Sequence, residues 1–261
     1  MGQLIKLNTV FANTGLPVII DRNIQAVEAE IRALPELRAF WDMGDPSAIT
    51  VSDGRIVRVA DKSASGNHLV ADAATAPVLD HSVLGGASSA YFDGTASMVS
   101  EHDALKADWK KLTFVVFALK TEVTDPDNNI LAVGKNNAYV SVYVGNLKIS
   151  VNSANLVLNP QGGVVGRPLS VVASTDFIGN RSTIRTENEH KTGSGLAQRQ
   201  LRDEPLYIGK WSDGADEKKA GSWKGYIGHV MVFEDYVEDK QYISDLLLEY
   251  ARRKYNTPAW D

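Results

Sequence analysis

The chain has 261 residues, of which 44% are hydrophobic and 23% are charged, with a formal net charge of -5. This composition is that of an ordered globular protein. Nucleic acid is not expected as a partner, because affinity for phosphates requires many Lys and Arg residues. The sequence has no cysteine, which excludes disulfides, thiolate metal ligands and cysteine nucleophiles.

The N-terminus lacks the features of a secretory signal peptide. Residues 1–6 contain no basic segment followed by a long apolar stretch. The longest apolar run, residues 114–119, is far shorter than the roughly 20 residues that cross a bilayer as a helix. We therefore expect a protein that is made in the cytoplasm and is not inserted into a membrane.

Residues 1–38 are predicted to form an extended arm followed by a short amphipathic helix. Asp21 could cap the helix, and Pro35 should end it, because a proline inside a helix removes a backbone hydrogen bond. Apolar residues at spacings of three and four share one face of this helix: Ile24, Val27, Ile31 and Leu34. Two interpretations stay open, since the segment could pack on its own domain or dock to a partner chain.

From residue 40 onward, short β-like segments alternate with Gly, Asn and Asp. Residues 112–119 are almost entirely β-branched, aromatic or apolar, as in a strand that is buried on both faces. Further strands are predicted at 129–134, 138–144, 147–151, 169–175, 182–186, 206–209 and 225–233. Gly145-Asn146 predicts a hairpin turn. Strands without intervening helices indicate an antiparallel sandwich.

A helix is predicted near the end of the chain. Acidic residues 238–239 lie at its N-terminal end, and basic residues 252–254 lie at its C-terminal end. Both placements interact favourably with the helix dipole. Tyr242, Leu246 and Tyr250 recur at helical spacing and are predicted to share its buried face. The basic cluster is therefore interpreted as a structural feature of the helix.

Several short segments, taken in their order along the chain, carry a resemblance to a known family. They are Trp41-Asp42, Ala60-Asp61-Lys62-Ser63 with Gly66-Asn67-His68, Ala90-Tyr91-Phe92-Asp93-Gly94, residues 113–119, residues 204–209, and residues 223–233 with the helix that follows. Their order resembles that of concanavalin A-like (laminin-G-like, LamG) domains, including those of tailed-phage structural proteins. The resemblance implies a mainly β, antiparallel jelly-roll sandwich over residues 39–261, with a C-terminal α-helix and residues 1–38 as a separate N-terminal part.

The same resemblance implies a non-enzymatic structural protein of a bacteriophage virion, in the tail, baseplate, fibre or head decoration. Residues 1–38 would bind other virion proteins, and the chain would form a homo-oligomer. The protein would be made in the host cytoplasm and assembled into the virion. The alternative is a glycan-binding adhesin that recognises a host-surface glycan. A polysaccharide-degrading enzyme is the less favoured third interpretation.

No catalytic motif is apparent. Glycoside hydrolases of this fold use a Glu-x-Asp-x-x-Glu strand, because two carboxylates must flank the scissile bond. The nearest segment, residues 234–238, lacks that spacing and is predicted to cap the last helix. The five histidines lack metal-site spacing, so neither zinc nor iron is expected. The sequence predicts no catalytic residue.

Calcium is the one cofactor for which the sequence offers candidates. Laminin-G-like relatives often bind this ion through loop oxygens, and Asp125, Asp127 and Asn128 supply such oxygens in one polar loop. Calcium requires six to eight oxygen ligands within a small space. A solvated turn is the alternative interpretation of this loop.

Aromatic residues near acceptors are the candidates for contact with a glycan. Trp211 and Trp223 flank a charged loop that also contains Asp213. Tyr139 and Tyr143 share the polar face of one predicted strand. Packing in a core or an interface is the alternative role for each of these aromatic side chains.

Overall fold

The structure is a computed structural model that describes residues 23–122, 129–134, 138–143, 146–151, 154–159, 164–187, 189–194, 201–209 and 223–255. Two helices and seventeen strands occur in this part of the chain. They are α1 (Ile24–Arg32), β1 (Leu37–Asp42), β2 (Ile49–Ser52), β3 (Arg55–Val59), β4 (Leu69–Val70), β5 (Val78–Leu84), β6 (Ala87–Asp93), β7 (Met98–Ser100), β8 (Lys111–Lys120), β9 (Asn129–Gly134), β10 (Ala138–Tyr143), β11 (Asn146–Val151), β12 (Ala154–Leu158), β13 (Pro168–Asp176), β14 (Arg181–Arg185), β15 (His190–Gly193), β16 (Leu206–Ile208), β17 (Lys224–Phe233) and α2 (Gln241–Tyr255).

The strands form two layers in which every strand pair is antiparallel. In the first layer β17 pairs with β8, and β13, β14 and β15 follow in that order. The other edge of β17 pairs with both β1 and β6. The second layer has the order β2-β3-β4-β7-β16-β9-β10-β11-β12. This architecture confirms the predicted fold class, a mainly β antiparallel sandwich with a C-terminal helix.

The hydrophobic residues form one core between the layers and another on the outside of the first layer. Strand β8 contributes to both, because its side chains alternate between its two faces. Phe114 and Val116 belong to the core between the layers, and Val115 belongs to the outer core. The outer core lies beneath α1 and α2, which explains why β8 is apolar on both faces.

Helix α1 packs on the outer face of the sandwich. Asn23 caps it by accepting a hydrogen bond from the Ala26 backbone N–H at 2.8 Å, whereas Asp21 lies outside the described residues. Val27 and Ile31 are fully buried in the outer core. Within this chain the helix thus packs on the sandwich, and its docking to a partner chain stays a prediction.

The predicted domain boundary between residues 38 and 39 lies inside β1. Leu37 already pairs with Phe233 of β17, and its side chain belongs to the outer core. Residues 23–38 are thus continuous with the sandwich. The docking to other chains that the sequence predicts for residues 1–38 stays a prediction, and residues 1–22 lie outside the described part of the chain.

Helix α2 differs from its prediction at the N-terminal end. Glu238 and Asp239 lie in a preceding 3₁₀ turn, and the first helical turn contains no acidic residue. The buried face includes Leu246 and Tyr250 as predicted, but Tyr242 is 64% exposed. The buried stripe begins at Ile243 instead. Neither described helix is long and apolar enough to cross a membrane.

Strand β17 contains a β-bulge between Ile227 and His229, where it changes partner. The residues before the bulge pair with β6, and those after it pair with β1. The bulge contains Gly228, where an added Cβ atom would lie 2.4 Å from the Tyr255 hydroxyl oxygen. A larger residue at position 228 would therefore displace the Tyr255 side chain of α2.

Candidate functional site

A group of charged side chains surrounds the buried carboxylate of Asp42, and we call it the Asp42 network. It consists of Asp42, Glu28, Asp45, Lys62 and Lys254. The Asp42 side chain is fully buried, and one of its carboxylate oxygens accepts hydrogen bonds from Lys254 and, at 3.2 Å, from the Lys62 ammonium. This network joins α1, the end of β1, the loop that contains Lys62, and α2.

Three carboxylates of the Asp42 network are close enough together to hold a cation. Oxygens of Glu28, Asp42 and Asp45 all lie within 4.8 Å of one another. The Lys62 ammonium lies 2.7 Å from Glu28, 2.7 Å from Asp45 and 3.2 Å from Asp42. This ammonium lies between the three carboxylates, where a metal ion would have to sit, and Lys254 supplies a second positive charge on Asp42.

The pKa values of Asp42 and Lys62 reflect the opposite charges around them. Burial opposes ionisation of Asp42, but Lys254 and Lys62 outweigh that effect and lower the pKa of the carboxyl group. The pKa of Lys62 is raised, because the carboxylates around it outweigh its own burial. Every charge has a partner inside the protein, as a structural network requires.

His229 lies beside this network and is fully buried. Burial lowers the pKa of its imidazole from 6.5 to about 3, so the ring is neutral at pH 7. Its Nδ1 shares a hydrogen bond with the Tyr255 hydroxyl at 3.1 Å, and the ring stacks near Phe117. These contacts place His229 in the aromatic packing with Phe117 and Tyr255.

Of the five sequence-predicted glycan residues, one is buried, two lie in a strand, and two lie outside the described residues. Trp223 is fully buried in the core between the layers, so its predicted role in glycan contact is wrong in this conformation. Tyr139 and Tyr143 lie in β10 between β9 and β11, and their roles stay predictions. Trp211 and Asp213 lie outside the described residues.

The calcium candidates Asp125, Asp127 and Asn128 also lie outside the described residues. The acidic segment 234–238, by contrast, is well defined. Glu234 pairs with Arg38 at 2.8 Å, and Asp235 pairs with Lys240 at 2.8 Å. These cations hold the carboxylates at the junction between β17 and α2, which fits a structural role for the segment.

A pair of aromatic side chains lies on the outer face of the first layer, and we call it the tyrosine patch. Tyr226 of β17 lies directly opposite Tyr91 of β6. Their ring centroids are 4.9 Å apart, with the ring planes inclined at 43°. Both side chains are half-buried, and Tyr226 packs against the small cluster that contains Phe117 and Tyr255.

Polar groups surround the tyrosine patch. Burial raises the pKa of the Tyr226 phenol, and the nearby charge of Asp80 raises it further. Lys224 lies two residues before Tyr226 and pairs with Glu122 at 2.8 Å. The patch therefore combines aromatic rings with carboxylate acceptors and an ammonium donor.

Sequence reasoning did not select the tyrosine patch, although a signal for it existed. Phe92 and Ile227 face the core between the layers, so their neighbours Tyr91 and Tyr226 must face outward. That alternation can be found in the sequence. The direct pairing of the two tyrosines depends on the register between β6 and β17, which no local pattern specifies.

No protein-family model matches this sequence, and no curated protein is similar to it. Solved structures do match the fold. Domain 4 of the GH43 arabinanase AbnA from Geobacillus stearothermophilus, solved with arabinotriose, has 12% identity, with 81% of this chain and 98% of that chain covered and a TM-score of 0.55. Trypanosoma rangeli sialidase, solved with sialic acid, has 11% identity, with coverages of 82% and 33% and a TM-score of 0.56.

The binding domain of botulinum neurotoxin serotype D is also similar, with 8% identity, coverages of 82% and 51%, and a TM-score of 0.56. The chain thus spans about a third of the sialidase and about half of the neurotoxin domain. At these identities the likeness concerns the fold alone. It places the chain among jelly-roll β-sandwich structures.

Proposed function

We propose that this chain is a non-enzymatic, carbohydrate-binding β-sandwich module whose tyrosine patch contacts the sugar. The observation that carries the proposal is the pairing of Tyr91 and Tyr226 on an outer face, with ring centroids 4.9 Å apart. The C–H groups on one face of a sugar ring pack well on aromatic rings, which combine a large apolar surface with a polar edge. Sugar hydroxyl groups can then bond to Asp80 and Lys224.

The comparison with the arabinanase supports this proposal, because almost the whole of its domain 4 is matched and that domain was solved with arabinotriose. The sialidase gives less support, since this chain spans only a third of it. Display of the module on a phage virion, with assembly through residues 1–38, stays a prediction. It rests on the family resemblance of the sequence, and fold alone does not determine function.

The proposal is tested by screening the protein on a glycan array and then measuring affinity for the best glycan by calorimetry. We expect Tyr91→Ala and Tyr226→Ala each to weaken binding about tenfold, which corresponds to about 1.4 kcal/mol. Tyr226→Phe should bind almost normally, because it keeps the ring. Tyr242→Ala is the matched control, since Tyr242 is exposed on α2 and belongs to neither strand of the tyrosine patch.

Three outcomes would contradict the proposal in different ways. If the protein binds no glycan, the binding function is wrong. If it binds a glycan equally well after both alanine substitutions, the tyrosine patch is not the contact surface. If incubation with a bound polysaccharide releases reducing sugar, the protein is an enzyme after all.

A further inference from the structure

A small cavity lies between α2 and the edge of β13, away from the tyrosine patch. Strand β14 pairs with β13 from Val172 onward, so it does not cover the earlier part of β13. Glu187, which follows β14, fills part of this gap, and its carboxylate accepts a hydrogen bond from the Ser170 backbone N–H at 2.5 Å. The remaining cavity has a volume of about 240 Å³. Its lining residues are Ser170, Glu187, Asp245, Leu248, Glu249, Ala251 and Arg252.

One polar side chain in this cavity lacks a partner. Ser170 is 1% exposed, and its hydroxyl group has no hydrogen-bond partner among the described residues. A buried hydroxyl group without a hydrogen bond costs about 1–3 kcal/mol, which a bound ligand can recover. The unpaired hydroxyl group of Ser170 therefore favours a ligand at this site, and this argument does not depend on the charges in the cavity.

The acidic groups of the cavity are unevenly compensated. Glu187, Asp245 and Glu249 line it together with Arg252, and Glu249 is already paired with Arg253 at 2.8 Å. Burial raises the pKa of Glu187, although Ser170 N–H and Arg167 act in the opposite direction. The carboxylate of Glu187 is thus insufficiently compensated by the protein, and a cationic group placed beside it would stabilise its ionised form.

From this geometry we infer that the cavity binds a small alkylammonium ligand. The ammonium group would donate to the Glu187 carboxylate and the Ser170 hydroxyl, while the methylene groups would pack on Leu248 and Ala251. The cavity is smaller than the roughly 300–1,000 Å³ of sites for drug-sized ligands, so the ligand has few heavy atoms. This site is separate from the proposed glycan surface and does not depend on it.

Other ligand classes fit these groups less well. Among the described residues, the only three carboxylates close enough to share a metal ion are those of the Asp42 network. The acidic groups of this cavity are therefore too far apart to hold one metal ion, but an organic cation can reach between them. A neutral hydroxylated ligand could bond to Ser170, but it would leave the charge of Glu187 uncompensated.

The test uses 1,4-diaminobutane as the probe, titrated into the whole protein at pH 7 and followed by calorimetry. We expect saturable binding that weakens at least tenfold in Glu187→Gln and in Ser170→Ala. Asp108→Asn is the matched control for charge, because Asp108 is exposed and does not line the cavity. The neutral analogue 1,4-butanediol should bind far more weakly than the diamine.

The pH dependence provides a second readout. As the pH falls through the raised pKa of Glu187, its carboxylate is protonated and the affinity for the diamine should decrease. Glu187→Gln should reduce that dependence, while the charges of Asp245, Glu249, Arg252 and Arg167 remain. The inference is overturned if the diamine does not bind, if butanediol binds equally well, or if neither cavity variant weakens binding. Ser170→Ala keeps the test valid should Glu187→Gln fail to fold.

Discussion

Asp42→Asn is expected to lower the free energy of unfolding by about 3–5 kcal/mol, the usual cost of removing one partner from a buried ion pair. The substitution removes the carboxylate that pairs with Lys254 and leaves this largely buried ammonium beside neutral acceptors, namely the Tyr250 hydroxyl at 3.3 Å and the new amide oxygen. It also removes a charge partner of Lys62. Urea denaturation at pH 7 measures the loss directly, and Asp108→Asn is the exposed control, expected to change stability by less than about 0.5 kcal/mol.

The effect of Asp42→Asn should depend on pH. Because the pKa of Asp42 is lowered in the folded protein, its contribution is complete above its ordinary value of 3.8 and is lost as the pH falls through the lower folded value. The stability difference between the two proteins should therefore narrow in strong acid. A difference below 1 kcal/mol at pH 7 would show that the Asp42 network does not stabilise the fold.

A chain that begins at Ala39 is expected not to fold into a stable monomer. It lacks α1 and Leu37, and therefore three buried apolar side chains of the outer core: Val27, Ile31 and Leu37. Each is worth roughly 1.5–3 kcal/mol on burial. Their sum approaches the whole stability of a typical domain, which is about 5–15 kcal/mol. Helix α2 and strand β1, on which α1 packs, would also lose that cover, so aggregation is expected.

The matched control is a chain that begins at Asn23, which keeps the helix and its cap. It should fold as well as the full-length chain in thermal unfolding. Light scattering of both proteins then tests the predicted assembly role of the N-terminal arm. If only the full-length chain self-associates, residues 1–22 carry that role. Normal folding of the chain that begins at Ala39 would contradict the structural role assigned to α1.

The fold could be predicted from the sequence where the pattern is local. The uninterrupted apolar run of β8 is explained by its two buried faces, and the apolar stripe of α1 lies on the outer core as its spacing indicates. The start of α2 was less predictable. Acidic residues such as Glu238 and Asp239 are as compatible with a preceding 3₁₀ turn as with the first turn of an α-helix. In the turn they pair with Arg185 and Arg181 respectively.

The candidate site was harder to predict, because it depends on strand register and on which face is covered. Its position beside a charged loop makes Trp223 a candidate for contact with a sugar. Alternation along the last strand, however, places Trp223 and Ile227 in the same core. The tyrosine patch requires the pairing of two strands separated by more than a hundred residues. The cavity beside α2 requires knowing where β14 stops covering β13.

The exchange of partners at the bulge in β17 has a consequence for how the protein is made. Trp41 of β1 pairs with Val230, about 190 residues later in the chain. At roughly 5–20 residues per second, a ribosome needs on the order of 10–40 s to synthesise the intervening segment. From the time that each is made until β17 emerges, β1, β6 and β8 lack their common neighbour. The nascent chain must therefore keep these apolar strands apart until the last strand emerges, which makes it a candidate client for chaperones.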